Sequence, residues 1–120
     1  MANEISVNLS VSVRNGNMID SFAPGTKQYN QAAVGGPTPG YVTIGTTEES
    51  IALGELSTQG YLVIQNLDTT NYVRWGFATG AYGGRLKAGE FAFFRLNPGT
   101  TLYLIANTAA CKCLVKAYED

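Results

Sequence analysis

A chain of 120 residues, 45% apolar and only 14% charged, is long enough to bury a core without staples and reads against a disordered, strongly solvated polypeptide. Its formal net charge of −1 creates no field to gather nucleic acid, and its basic residues are scattered singly. It has no His and two Cys, so the commonest general base and a four-ligand zinc set are both missing.

The first element is the clearest. Ile5, Val7, Leu9, Val11 and Val13 alternate with Ser6, Asn8, Ser10 and Ser12, which predicts one strand with a buried and a polar face. It reads as an edge strand of the main sandwich, or as one that pairs with a neighbouring subunit. Asn15-Gly16 then gives a hairpin turn, with a return strand from Met18 through Phe22. Residues 27–34 are a strand or an extended arm, and Gly35–Gly40 is a loop on composition. Tyr41–Ile44 and Ile51–Leu53 are short strands. Residues 15–59 carry the weakest periodicity.

From Gly60 the pattern becomes regular. Tyr61–Leu67 and Tyr72–Ala78 flank a turn at Asp68–Asn71, with Val73, Trp75 and Phe77 in phase. Their shared phase places Trp75 in the core. The loop Thr79–Gly84 follows, with Tyr82 near its tip, and Arg85–Lys87 leads onward. Phe91–Leu96 and Thr101–Ala106 flank Asn97-Pro98-Gly99-Thr100, the signature of a β-hairpin. Both faces of this hairpin are apolar, so one of them is expected to look toward a neighbouring subunit. Arg95, in phase with Phe91 and Phe93, would be buried and need a partner, placed on another chain. The last strand, Ala110–Tyr118, sends Cys111, Cys113, Val115 and Ala117 one way.

No helical period and no internal repeat emerge. About eight or nine short strands indicate one all-β domain over residues 1–120, a β-sandwich of jelly-roll or Greek-key type. A small closed β-barrel is the alternative.

The chemistry is sparse. Without His there is no Ser-His or Cys-His couple, and the acids fall mostly in turns or at the termini, so no catalytic residue is assigned. No cofactor-binding or metal-binding residue is assigned either. The stretch Gly80–Gly84 lacks the Lys-Ser/Thr ending of a phosphate loop, and Cys111 and Cys113 read as packed thiols. The candidate interaction surface is Tyr72, Arg74, Tyr82 and Arg85, with Arg95 added from the hairpin; rings beside polar groups suit protein or sugar contacts. No apolar run approaches the roughly 18–20 residues of a membrane helix. The start lacks the basic and apolar regions of a signal peptide, so synthesis in a cytoplasm is expected.

Three stretches carry a resemblance: Met1–Val7, Gln65–Val73, and Leu86–Glu90 through Arg95–Gly99 to Ala106–Ala109. They resemble small accessory virion proteins of tailed bacteriophages. The match covers the first dozen residues and about half of the chain after Gly60, and it leaves out residues 15–59. It implies a virion component without catalytic residues or cofactors: a head decoration (cement) protein, or a small head-fibre or tail protein. Proteins of that kind sit as trimers on the major capsid protein, so a homotrimer on the outer capsid surface is expected. A carbohydrate- or receptor-binding module, with a glycan as partner, is the alternative.

Overall fold

The structure, a computed structural model, describes residues 3–120. The chain divides into two compact units, Met1–Ala33 and Val34–Asp120.

Among its described residues the first unit holds four strands: β1 (Ile5–Val7), β2 (Val11–Asn15), β3 (Met18–Phe22) and β4 (Lys27–Tyr29). β1 pairs antiparallel with β4, and β2 with β3, giving two separate two-stranded sheets. The turn between β2 and β3 is a two-residue loop, Gly16-Asn17, closed by the pair Asn15 and Met18. Gly16 has φ of +56° and Asn17 does not share a positive φ, the pattern of a type II′ turn. The single strand expected over Ile5–Val13 is therefore corrected: it breaks at Asn8–Ser10, and its halves pair with different partners inside this unit. Period-two alternation fixes which side chains share a face but not which strand lies alongside. None of residues 3–33 is buried. Val11, Val13, Met18 and Phe22 share one face of the β2–β3 ribbon and are 37–58% exposed.

The second unit is built from eight strands: β5 (Thr38–Ile44), β6 (Glu49–Ile51), β7 (Gln59–Asn66), β8 (Val73–Gly76), β9 (Gly84–Leu86), β10 (Phe91–Arg95), β11 (Leu102–Ala106) and β12 (Cys111–Glu119). They form two four-stranded antiparallel sheets of order β10-β7-β12-β5 and β6-β11-β8-β9. Four nested pairs run through this order: β5 with β12, β6 with β11, β7 with β10 and β8 with β9. This is one long folded ribbon rolled until β12 meets β7 and β11 meets β8, which is a jelly roll. Both sheets keep open edges, so the barrel alternative falls away.

The nesting corrects the hairpin. β10 pairs with β7 in the first sheet, whereas β11 pairs with β6 and β8 in the second. Asn97–Thr101 is thus a crossover between sheets, and Pro-Gly turn chemistry serves such a link as well as a hairpin. The loop expected over Gly35–Gly40 is also shorter, because β5 starts at Thr38. Pro39 is tolerated there since β5 is an edge strand.

Alternation supplies the core. Leu62, Ile64, Cys113, Val115 and Ala117 from the first sheet and Val73, Leu102 and Leu104 from the second are all 0% exposed. Each large side chain among them contributes about 1.5–3 kcal/mol on burial. Cys111 is also fully buried, so the expected inward face of the last strand is observed, thiols included. Asn66, fully buried, has its hydrogen bonds met: Nδ2 donates to the carbonyls of Asn71 at 2.9 Å and Leu86 at 3.1 Å, and Oδ1 accepts from the Asp68 N–H at 3.0 Å. It ties the end of β7 to the loop before β8 and to β9.

Candidate functional site

Two outward faces of the jelly roll carry unusual side chains. On the second sheet, Arg74 of β8 stands directly opposite Arg85 of β9 in register. The Arg74 guanidinium lies over the Tyr82 ring, 5.0 Å from its centroid, and the Arg85 guanidinium lies 4.1 Å from the centroid of Tyr72. Four of the five residues expected at an interaction surface therefore form one interlocked patch. Like charges directly opposite on a sheet repel, and the two ring faces offset this by cation–π attraction.

A residue that sequence reasoning missed anchors the patch. Glu48 accepts hydrogen bonds from the Tyr82 hydroxyl and, at 2.8 Å, from the Gly80 N–H. The Tyr82 bond, then the Gly80 bond, hold the Glu48 carboxyl below its ordinary range. The same contact pushes the Tyr82 phenol above 10. Glu48 lies 34 residues from Tyr82, and no local pattern links the two.

Arg95 belongs elsewhere. It sits on β10 of the first sheet, opposite Tyr61, with its guanidinium 4.2 Å from the Tyr61 ring centroid. Its Nη1 donates to Asp120 Oδ1 at 2.6 Å, and its side chain is 42% exposed. The expectation of a buried guanidinium partnered by another chain is thus corrected: the partner is the C-terminal residue of the same chain. The bond to Tyr61, and then Asp120, raise the guanidinium further above its usual value.

Arg95 edges the second unusual face. Phe91 and Phe93 point away from the core, opposite to Ala92 and Phe94, and are 62% and 36% exposed. Phe93 stacks on Tyr61 with centroids 4.9 Å apart and planes at 14°. In register beside them lie Val63, Leu114 and Tyr41, with Lys112 and Lys116. The Lys112 ammonium is 5.4 Å from the centroid of Tyr41. This is an apolar, aromatic sheet face set with cations, as both-faced apolarity of the Phe91–Leu96 stretch had suggested.

Trp75 behaves as an inner residue, packed against the core from a half-buried position, while Phe77 is 44% exposed. Most of the acids accept hydrogen bonds from backbone N–H groups. Glu119, 6% exposed, accepts from the Ser57 and Thr58 N–H groups at 3.0 and 2.5 Å. Asp68 caps Thr70 and Asn71, and those two N–H groups, Asn71 first, lower its carboxyl. Glu49 accepts from the Gly45 N–H and Glu90 from that of Lys87. Among the described residues, no group of three or more His, Cys, Asp or Glu side chains is placed to hold a metal ion.

No protein-family model, curated protein or solved structure matches the chain.

Proposed function

We propose that this protein is a noncatalytic structural component of a phage particle, a capsid decoration protein that docks on the outer surface of the shell. The observation that carries the reading is the outward face of the first sheet. Folded monomers bury large aromatics where they can, and a contiguous exposed patch marks a protein contact. Phe91 and Phe93 on β10 and Tyr41 on β5 place exposed aromatics at both edges of this sheet, with Val63 and Leu114 between them beside Gln65, Lys112 and Lys116. Aromatic centres with a basic rim are the composition of interface hot spots.

The mechanism is mechanical. A rigid jelly roll presents this face to neighbouring capsid subunits, and a partner that binds only the assembled lattice stabilises it by mass action. The employment of most carboxylates as acceptors for backbone N–H groups supports a noncatalytic role, and the phage resemblance supplies the setting. A homotrimer is the expected bound form.

Co-sedimentation of the purified protein with emptied phage capsids tests this. The protein is expected to pellet saturably with capsids, and a Phe91→Ser, Phe93→Ser variant is expected to remain in the supernatant. Wild type that never pellets, but binds host polysaccharide saturably, would transfer the protein to the carbohydrate-binding class.

A further inference from the structure

The Arg74–Arg85 patch lies on the other sheet and is independent of the docking face just described. Two guanidiniums directly opposite one another on a strand pair are electrostatically unfavourable unless something meets them. Among the described residues neither makes an ion pair, and neither donates a hydrogen bond. The nearest acid in the patch, Glu48, is committed to Tyr82 and Gly80. Each guanidinium instead lies over a tyrosine ring, at 5.0 Å and 4.1 Å from the centroids, a contact that uses none of its N–H donors. The Tyr82 side chain is held by its hydroxyl bond to Glu48, and the Tyr72 backbone is held by its N–H donating to Asn107 Oδ1 at 2.8 Å. The Tyr82 side of the patch is therefore pre-organised by a bond inside the fold.

We infer that Arg74 and Arg85 together form a binding site for the carboxylates of an acidic segment on a partner protein. A guanidinium fork matches a carboxylate with two parallel N–H···O bonds, and a pair of forks in fixed register reads two acidic side chains or grips one. Three observations favour a polypeptide over other anions. The chain's net charge of −1 supplies no wider positive field of the kind a nucleic acid needs. One face each of the Tyr72 and Tyr82 rings, where a sugar would stack, is occupied by a guanidinium. β9, which carries Arg85, has a strand on one side only, and an extended peptide can add along such an edge.

The test is a titration of the full chain with hexaglutamate, with hexaglutamine, polygalacturonate and a short single-stranded DNA as comparators. The expected result is hexaglutamate binding that weakens with added salt, shifts the Arg74 and Arg85 side-chain NMR signals, and leaves hexaglutamine unbound. Arg74→Gln with Arg85→Gln is expected to weaken it about tenfold or more, the change that roughly one lost charge-assisted contact produces. Arg14→Gln, an exposed arginine of the first unit, leaves it unchanged. Should the Gln pair fail to fold, Arg74→Lys with Arg85→Lys keeps the charge but loses the forks, and an affinity between wild type and background supports the site. Absence of hexaglutamate binding, or binding equal in the Gln pair, overturns the inference. Polygalacturonate or DNA binding as tightly as hexaglutamate overturns it in favour of that polymer.

Discussion

The indole of Trp75, on the second sheet, stacks on the ring of Phe94, on the first, with centroids 4.9 Å apart and planes at 17°. Phe77 meets both rings edge-on, at 5.7 and 5.9 Å. This stack joins the two sheets beside the core, next to the start of the β8–β9 connection. Opposite the indole lies Gly84, where an added Cβ would sit 2.0 Å from Trp75 Cε2.

Trp75→Ala is therefore expected to cost about 2–3 kcal/mol, below the full value for a wholly buried Trp because the side chain is half-buried. Gly84→Ala is expected to destabilise by about 1–3 kcal/mol through overpacking. Trp75 is the sole tryptophan, so the Gly84→Ala change also shifts its emission, and urea unfolding followed by fluorescence reads both effects.

The thiols give a pH dependence. Burial pushes Cys113 up to about 12 from an ordinary value of 9.0, and burial also raises Cys111. Between these values the unfolded chain loses a proton that the folded one keeps, so stability falls as pH rises above 9 and is unaffected below it. The slope for Cys113 is about 1.4 kcal/mol per pH unit. In urea melts, the advantage of wild type over Cys113→Ala is expected to shrink as pH rises from 9. A thiol reagent at pH 8 is expected to label neither cysteine in the folded protein and both in denaturant.

Glu48 and Tyr82 are coupled. The lowered Glu48 carboxyl contributes to holding the 79–83 loop above its ordinary value of 4.5, and that contribution is lost as pH falls through the folded value. Glu48→Gln is expected to bring the Tyr82 phenol down toward 10, seen by ultraviolet titration of tyrosinate, and to speed amide exchange at Gly80. An unchanged phenol in that variant would show that the hydroxyl bond does not form.

Among the described residues, the buried core cluster lies between Ile44 and Ala117. A chain of residues 34–120 is accordingly expected to fold with a cooperative melt and native-like Trp75 fluorescence. Residues 1–33 alone, whose described residues form two ribbons without a buried side chain, are expected to show none, because isolated two-stranded sheets are marginal in water. Circular dichroism of the two fragments checks both statements.

How much of this was legible follows from what each signal encodes. The inward face of β12 could be read residue by residue, because Cys111, Cys113, Val115 and Ala117 alternate with Lys112 and Lys116 over one uninterrupted strand. The sandwich class followed from many such strands without a helical period. Strand pairing was not legible: Phe91–Arg95 and Leu102–Ala106 look like a hairpin because alternation and a Pro-Gly turn are local, while the choice of neighbour is made by burying Leu62 and Leu104 from opposite sheets. The same limit broke Ile5–Val13 into two strands. Of the interaction residues, Tyr72, Arg74, Tyr82 and Arg85 cluster in sequence around one β8–β9 connection and so converge in space. Arg95 was separated from them by the crossover, and its partner Asp120 and the anchor Glu48 are set by contacts 25 and 34 residues apart.

The most direct test of the proposed docking role is gold labelling and electron microscopy of purified particles from any phage whose genome carries this sequence. The account predicts label at regularly repeating sites over the outer capsid surface, lost when particles are assembled with the Phe91→Ser, Phe93→Ser variant. Label confined to the tail, or particles that carry none of the protein, would contradict it.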